Sequence, residues 1–420
     1  MTKIKYSVVL PTLNGEKNLR VTLPYMLQIK REDIEFVVSN NKSDDNTKKF
    51  ILSLNDDRIK LVEPPKRLPA GGNLEYAYHN ACGEWQGHIG DDDVFFLSRF
   101  NYLDKIITHT NPDVVRTEYL GYFWHNHPSN LANTLDGRKG YDGKLKIYNG
   151  KTISQKMFND RSVHCGGAWI VKRRIIDKIR EKCGFFSSND HVEFFAMRAA
   201  CALSKTVSFI NLPLFVMGRS PKSSGTLALD KKRKNSTSHW DWNFESPNPW
   251  SYCPFQYKGS FSISLDAALK VKNFFPEIFS DVNIQWIKWI DAVRWQIETL
   301  IENDQLPNDS IDIIQKGIKA VPFYARLYWY LVWFLKYSNR FKNFNKIYSL
   351  EKLLSEIFFY NNKNNKSSST NFCWINHLRG EEVGFYSILD VPKWVENNFS
   401  EYYELETHVY ESRVIEHQTV

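Results

Sequence analysis

The first ninety residues alternate short β-branched runs with polar, helix-opening loops, and this alternation constrains the fold more than any other property of the chain. Residues 6–10 form a buried-strand pattern that stops at Pro11-Thr12, and Asn14-Gly15-Glu16 opens a helix over residues 17–27. A second strand, 34–39, ends in Asn40-Asn41-Lys42-Ser43-Asp44-Asp45-Asn46-Thr47, a polar turn and N-cap cluster before a helix through Phe50-Ile51-Leu52. Residues 58–62 read as a third strand, broken by Pro64-Pro65, and Gly71-Gly72-Asn73 precedes a helix over 74–81. Such spacing predicts an α/β fold whose mostly parallel sheet has helices on both faces. Ligands of such sheets bind beyond the carboxyl ends of the strands. The loops at 11–14, 40–43 and 91–93 all fall on that edge.

The third of these loops is the run Asp91-Asp92-Asp93, set between Gly87-His88-Ile89-Gly90 and Val94-Phe95-Phe96. Adjacent carboxylates repel, so they must be hydrated, paired or bound to a cation. A hard divalent cation, Mg²⁺ or Mn²⁺, offsets that repulsion and can bridge carboxylate to diphosphate oxygens. A plain turn after a strand is the alternative.

At 420 residues the chain is long for one core, and two domains are expected. The net charge of +8 is compatible with an anionic partner, but no arginine-rich tract or zinc-finger spacing points to nucleic acid. The six cysteines form no CxxC pair and read as reduced thiols. Met1-Thr2-Lys3-Ile4-Lys5 shows no signal-peptide pattern, and no apolar run reaches the ~18–20 residues needed to span a bilayer. A cytoplasmic location, possible also at the inner face of the cell membrane, is the expectation.

Three segments together resemble family 2 glycosyltransferases of the GT-A fold. Residues 8–19 look like the family's opening strand and Pro-Thr-x-Asn-x-Glu loop. Residues 36–47 look like its second strand and Asp-rich turn, and Gly72-Asn73 through Gly83-Glu84-Trp85 to Asp93 looks like the approach to its Asp-x-Asp motif. The resemblance covers roughly residues 5–220. It implies that Pro11, Thr12, Asn14, Asn40, Asn73, Asp91 and Asp92 contact a nucleotide sugar, and that Asp91 and Asp93 hold the metal, with Asp92 as the alternative. Two departures stand out: Asn40 replaces the usual base-contacting Asp, and Gly90 stands where a first Asp can fall. The amide oxygen of Asn40 can still accept the imide N–H of uracil.

Further on, Gly166-Gly167-Ala168 and the following strand look like the family's acceptor region. Residues 185–198 resemble its Glu-Asp segment, with Asn189 in place of the first acid and Asp190 as the second. The resemblance implies that Asp190 is the general base; a helix N-cap paired with Glu193 is the ordinary reading of the same residues. Arg219 and Lys222 match the family's basic loop over the diphosphate, and Lys231-Lys232-Arg233-Lys234 extends the charge.

The resulting expectation is a GT-A domain over residues 1–228 and a mainly helical, aromatic-rich region over 229–420, with a flexible segment near 361–370. Residues 327–335 combine Tyr, Trp, Leu and Phe and lead into Arg340, Lys342 and Lys346. They are either a buried helix or, with the rest of 323–346, a peripheral membrane contact. The expected activity is that of an inverting, metal-dependent glycosyltransferase moving a sugar from a nucleotide-diphosphate donor, UDP-sugar foremost, to a glycan or lipid-linked hydroxyl in surface polysaccharide or glycolipid synthesis. An inactive nucleotide-sugar-binding module and a sugar-phosphate nucleotidyltransferase are the alternatives. Against the latter, Asn14-Gly15-Glu16 places an acid where a phosphate loop needs glycine and basic residues. His125-Asn126-His127 and His164-Cys165 have no further ligands near them in sequence and read as loops.

Overall fold

The computed structural model describes residues 3–137, 141–159, 166–188, 193–223, 252–255, 260–302, 310–337, 378–384 and 386–398. Its strands are β1 (Tyr6–Thr12), β2 (Ile34–Asn40), β3 (Ile59–Val62), β4 (Trp85–His88), β5 (Val94–Phe95) and β6 (Val114–Phe123). They continue with β7 (Thr134–Asp136), β8 (Leu145–Asn149), β9 (Trp169–Lys172), β10 (Thr206–Arg219) and β11 (Leu378–Arg379). β3, β2, β1 and β4 lie side by side and parallel, with Thr12 opposite Asn40 at the carboxyl edge. β9 then runs antiparallel between β4 and β6.

Every residue of β2 is buried, as is all of β1 except Pro11. That is the mark of a sheet covered on both faces, and it is why these strands read as continuous apolar runs. The period of two divides them between two cores. Val8, Leu10, Phe36 and Val38 face one layer, where α1 (Glu16–Met26), α2 (Thr47–Ser53) and α4 (Arg99–Thr110) supply Leu19, Leu23, Phe50, Leu103 and Ile106. Val9 and Val37 face the other, filled from α3 (Ala70–Asn80), α5 (Gly150–Phe158), α6 (Arg173–Cys183) and α7 (Glu193–Leu203). α3 begins at Ala70, ahead of the start at 74 expected from its sequence, because Gly71 and Asn73 are buried against the sheet and packing outweighs the low helix propensity of glycine.

The helices beyond residue 250 do not stand apart from this layer. α8 (Ser260–Phe274) and α9 (Pro276–Phe279) add Ala267, Ala268, Val271, Phe275 and Phe279 to the core of α5 and α7. α10 (Trp286–Glu302), α11 (Ser310–Ala320) and α12 (Phe323–Tyr337) build a further cluster around Trp289, Ile290, Ile318, Tyr328 and Trp329. Finally β11 pairs with β7, and α13 (Gly380–Val383) and α14 (Asp390–Asn398) follow it. Val391 and Val395 of α14 pack with Val94, Phe96, Tyr122 and Trp124, immediately behind the acidic run.

Among the described residues, no helix is long and apolar enough to cross a membrane. Cys82, Cys183, Cys201 and Cys253 are free thiols, the last two buried. The segment 361–370, Cys165 and Cys373 lie outside the described residues.

Candidate active site

Three carboxyl ends and one turn converge. β1 delivers Thr12, β2 delivers Asn40, and β4 runs through Ile89-Gly90 into Asp91-Asp92-Asp93, which turns the chain into β5. Thr12 Oγ1 donates to Asp91 Oδ2 at 2.6 Å and Asn18 Nδ2 donates to Asp91 Oδ1 at 2.9 Å. The loop after β1 is fastened to the loop after β2: Asn14 N–H donates to Ser43 Oγ at 2.8 Å, and Asp44 N–H donates to Asn14 Oδ1 at 2.7 Å. Asn14 holds this position at φ 54°, a left-handed conformation that Asn tolerates better than most residues.

The acidic run divides by direction. Asp93 points into its own turn, where Oδ2 accepts Gly90 N–H at 2.8 Å and Oδ1 accepts Gly218 N–H at 2.7 Å. Asp92 Oδ2 accepts Ser220 N–H at 3.1 Å, and its backbone carbonyl accepts Trp124 Nε1 at 3.1 Å. The glycines are there because the backbone passes so close. A Cβ on Gly218 would lie 1.8 Å from the Asp92 carbonyl oxygen, and one on Gly90 would lie 2.8 Å from Asp93 Oδ2. The second distance explains the departure noted at position 90: an Asp there would collide with the carboxylate that closes the turn.

Electrostatically the turn is short of positive charge. Burial raises the pKa of Asp91, Asp92 and Asp93; for Asp92 burial and then the Asp91 charge push it up to about 7. At Asp91 the hydrogen bonds from Thr12 and Asn18, and then the charge of Lys222, oppose burial and favour the ionised form. Three hard carboxylates answered by neutral hydroxyl, amide and backbone donors are a set that suits a Mg²⁺- or Mn²⁺-sized ion. Both oxygens of Asp91 accept from side chains, Thr12 and Asn18, and both oxygens of Asp93 accept from backbone N–H groups, whereas Asp92 Oδ2 accepts from Ser220 N–H. Among the described residues there is no cluster of three His, Cys, Asp or Glu side chains shaped as a ready metal cage.

Other expected residues are occupied in ways the sequence did not signal. Asn73 is buried and bound to Ser39, accepting from its hydroxyl at 2.7 Å and donating to its carbonyl at 3.3 Å. Arg219 lies over the Phe123 ring, 4.5 Å from its centroid, and pairs with Asp136 at 3.6 Å. Pro11 is partly exposed at the end of β1. His127 caps a surface turn through Ser129. Asp190 lies outside the described residues, as do Asn189, His164 and Lys231-Lys232-Arg233-Lys234. What the structure adds is the anchor of the segment leading to Asp190: Glu75 of α3 accepts from Phe186 N–H at 3.1 Å, from Ser187 N–H at 2.8 Å and from Arg180 Nε at 2.7 Å. Glu63 after β3, which bonds Asn40, was equally unmarked in sequence.

This edge can be compared with known proteins. The family model described as Glycosyl transferase family 2 matches residues 7–180, which contain β1, β2, β4 and the acidic turn. That segment is similar to family 2 glycosyltransferases. The architecture is in keeping with the GT-A type, a sheet whose β3–β2–β1–β4 portion is parallel, followed by a helical C-terminal region. Over 105 residues the chain is 26% identical to UDP-Glc:alpha-D-GlcNAc-diphosphoundecaprenol beta-1,3-glucosyltransferase WfgD of Escherichia coli, covering 25% of this chain and 42% of that protein. Over 93 residues it is 34% identical to GalNAc(5)-diNAcBac-PP-undecaprenol beta-1,3-glucosyltransferase of Campylobacter jejuni, covering 21% of this chain and 30% of the relative. The match thus spans less than half the length of each. Among solved structures, S. aureus TarS 1–349 in complex with UDP-GlcNAc superposes with a TM-score of 0.45 at 14% identity, over 84% of this chain and 92% of that one.

Proposed function

We propose that the protein is an inverting glycosyltransferase that moves a sugar from a UDP-linked donor to a hydroxyl of a lipid-linked glycan acceptor. The observation that carries the reading is the junction of Thr12 with Asp91 at the carboxyl edge of the sheet, 2.6 Å across, which brings a nucleotide-side loop and the acidic turn to one place. The Escherichia coli and Campylobacter jejuni relatives are named for undecaprenol-linked acceptors, and the former for UDP-Glc, which supports the choice of donor and acceptor class.

In this proposal Pro11, Thr12, Asn14 and Asn40 line the nucleoside side, and Asp91 and Asp92 hold a divalent cation, with Asp93 keeping the turn in shape. Asn73 acts through Ser39 by fixing the end of β2. A Mn²⁺ or Mg²⁺ bound there supplies electrostatic stabilisation of the departing diphosphate. Lys222, beside Asp91, adds positive charge from the protein itself, and Arg219 serves from its seat on Phe123 if its pairing with Asp136 is exchanged for the diphosphate. Asp190 takes the acceptor hydroxyl proton as the new C–O bond forms at the anomeric carbon. The bond to the diphosphate oxygen breaks in the same displacement, and UDP leaves. Glu75 sets the position of the segment carrying that base.

The acceptor class agrees with one surface of the helical region. α12 buries Ala325, Tyr328, Trp329 and Val332, while Phe323, Tyr324, Leu327, Tyr330 and Leu331 are exposed, and Lys316 and Lys319 of α11 are exposed beside it. The expected alternative between buried helix and membrane contact becomes a division between two faces. We infer that the outer face meets the membrane carrying the acceptor, its aromatic residues at the interface and its lysines near anionic headgroups.

The decisive experiment supplies UDP-sugars with Mn²⁺ and follows UDP release, with Asp190→Asn as control. Turnover that Asp190→Asn eliminates while UDP affinity is kept supports the proposal. Tight UDP binding with no release from any donor would make the protein a binding module, and sugar-1-phosphate-dependent nucleotidyl transfer would make it a nucleotidyltransferase.

A further inference from the structure

His88 is the last residue of β4, shortly before Asp91, and the alternation of the strand turns it toward α3, away from the layer that takes Trp85 and Ile89. Tyr78 Oη of α3 lies 3.0 Å from its Nδ1. The Tyr78 ring stands edge-on to Phe186, 4.8 Å between centroids. Glu75, one turn earlier on α3, holds the backbone N–H groups of Phe186 and Ser187. Glu193 opens α7, close enough for its charge to act on the Tyr78 hydroxyl. His88 and Glu193 are both partly exposed. Among the described residues His88 Nε2 has no hydrogen-bond partner, and the Glu193 carboxyl meets only its own backbone N–H.

The chemistry of this pair narrows what it can hold. Burial and then the charge of Arg99 push the His88 imidazole down to about 4, so it is uncharged at neutral pH. Burial pushes the Glu193 carboxyl up to about 7. The guanidinium groups that act on His88 and Tyr78 are engaged elsewhere, Arg99 by the Gly167 carbonyl at 2.8 Å and Arg180 by Glu75 at 2.7 Å. The pair therefore has no positive charge to offer a phosphate or carboxylate. Without a third His, Cys, Asp or Glu grouped with them among the described residues, it also falls short of a metal site. A hydroxyl fits. If Tyr78 donates to Nδ1, the Nε2–H is a donor; if Nδ1–H donates to Tyr78, Nε2 is an acceptor, and a hydroxyl answers either. It can likewise donate to the Glu193 carboxylate or accept from its protonated form.

We propose that His88 and Glu193 together hold a hydroxyl of an uncharged sugar ring of the acceptor, on the face of the sheet that Tyr78 and Glu75 keep in shape, and that they select against an acidic sugar there. The proposal rests on the transferase reading above and adds to it the class of sugar that the acceptor presents.

The test is saturation-transfer NMR of methyl glucoside, methyl galactoside, methyl N-acetylglucosaminide and methyl glucuronide, each with protein, UDP and Mg²⁺. At least one neutral glycoside should bind the wild type, and the glucuronide should bind at least about tenfold more weakly, the effect of one mismatched polar contact. His88→Ala and Glu193→Ala should each weaken the neutral glycoside by about fivefold to tenfold. Glu193→Gln keeps a donor and an acceptor and should stay within about threefold of the wild type. The contrast between Glu193→Ala and Glu193→Gln reads the bond even where His88→Ala unsettles Tyr78. A glucuronide bound as tightly as the neutral glycosides overturns the proposal. So does a UDP-loaded wild type that binds none of the four, or a neutral-glycoside affinity that Glu193→Ala leaves unchanged. A wild type that binds no UDP in calorimetry defeats the transferase reading instead, and the two failures are thus distinguishable.

Discussion

The N–H of Gly218 donates to Asp93 Oδ1 at 2.7 Å and so ties the end of β10 to the acidic turn across 125 residues of sequence. Asp93 is in effect a bracket, with one oxygen for Gly90 and one for Gly218. Asp93→Ala should therefore lower stability by about 2–4 kcal/mol, the consequence of leaving two backbone donors unmade in a closed space. Asp92→Ala should stay within about 1 kcal/mol of the wild type, because losing one of three like charges offsets losing the Ser220 contact. Urea midpoints at constant slope measure both. Equal losses would mean that the two carboxylates do not divide their work in this way.

The pKa shifts set a direction for cation binding. The folded value of Asp92, about 7, lies above that of the unfolded chain. Its contribution to apo stability is thus complete below the ordinary carboxylate range and is lost as pH rises toward 7. A bound cation must displace the same proton, so Mn²⁺ affinity should climb by up to about tenfold per pH unit through that window and level off above it. Thermal shift at fixed Mn²⁺ from acid to neutral pH reads this directly. A shift independent of pH would place the cation away from the turn.

Glu75 touches no expected substrate atom, yet two backbone amides ahead of Asp190 depend on it. With Asp190 in its proposed role as base, Glu75→Ala should lower kcat by at least about tenfold while KM for the UDP-sugar stays within about threefold, since misplacing a catalytic group harms the transition state more than the ground state. Matched changes in kcat and KM would show a general loss of structure.

On α12, Leu327 and Leu331 are exposed while Trp329 is buried at 5% exposure. Leu327→Glu with Leu331→Glu should leave the melting temperature nearly unchanged and abolish co-sedimentation with anionic vesicles. Trp329→Glu, by contrast, should cost about 3–5 kcal/mol through the core. Vesicle binding that survives the leucine pair would return the helix face to ordinary solvent exposure.

Much of the site was legible because it follows from strand ends. β1 and β2 are apolar on both faces, so their ends at Thr12 and Asn40 can be read within a residue, and a parallel sheet then requires their loops to meet. Direction within the loops was not legible. Asp91, Asp92 and Asp93 are chemically identical in sequence, and only the passage of Gly218 behind the turn sends the third one inward. Asn73 reads as a polar residue at a helix start, but Ser39, whose partner no local pattern reveals, takes both ends of it. Residues 327–335 are apolar all round, which erases the period that would have told the inner face of α12 from the outer one.

The strand pair β7–β11 and the seat of α14 behind Val94, Phe96 and Trp124 carry a consequence for how the molecule is made. The acidic turn is made early in synthesis, but part of its backing, Val391 and Val395, arrives with the last described helix. Until α14 is made the acidic turn lacks the packing of Val391 and Val395, so the seating of α14 should be a late docking step in folding. Early termination before residue 378 would leave β7 without β11 and the acidic turn without the packing of α14.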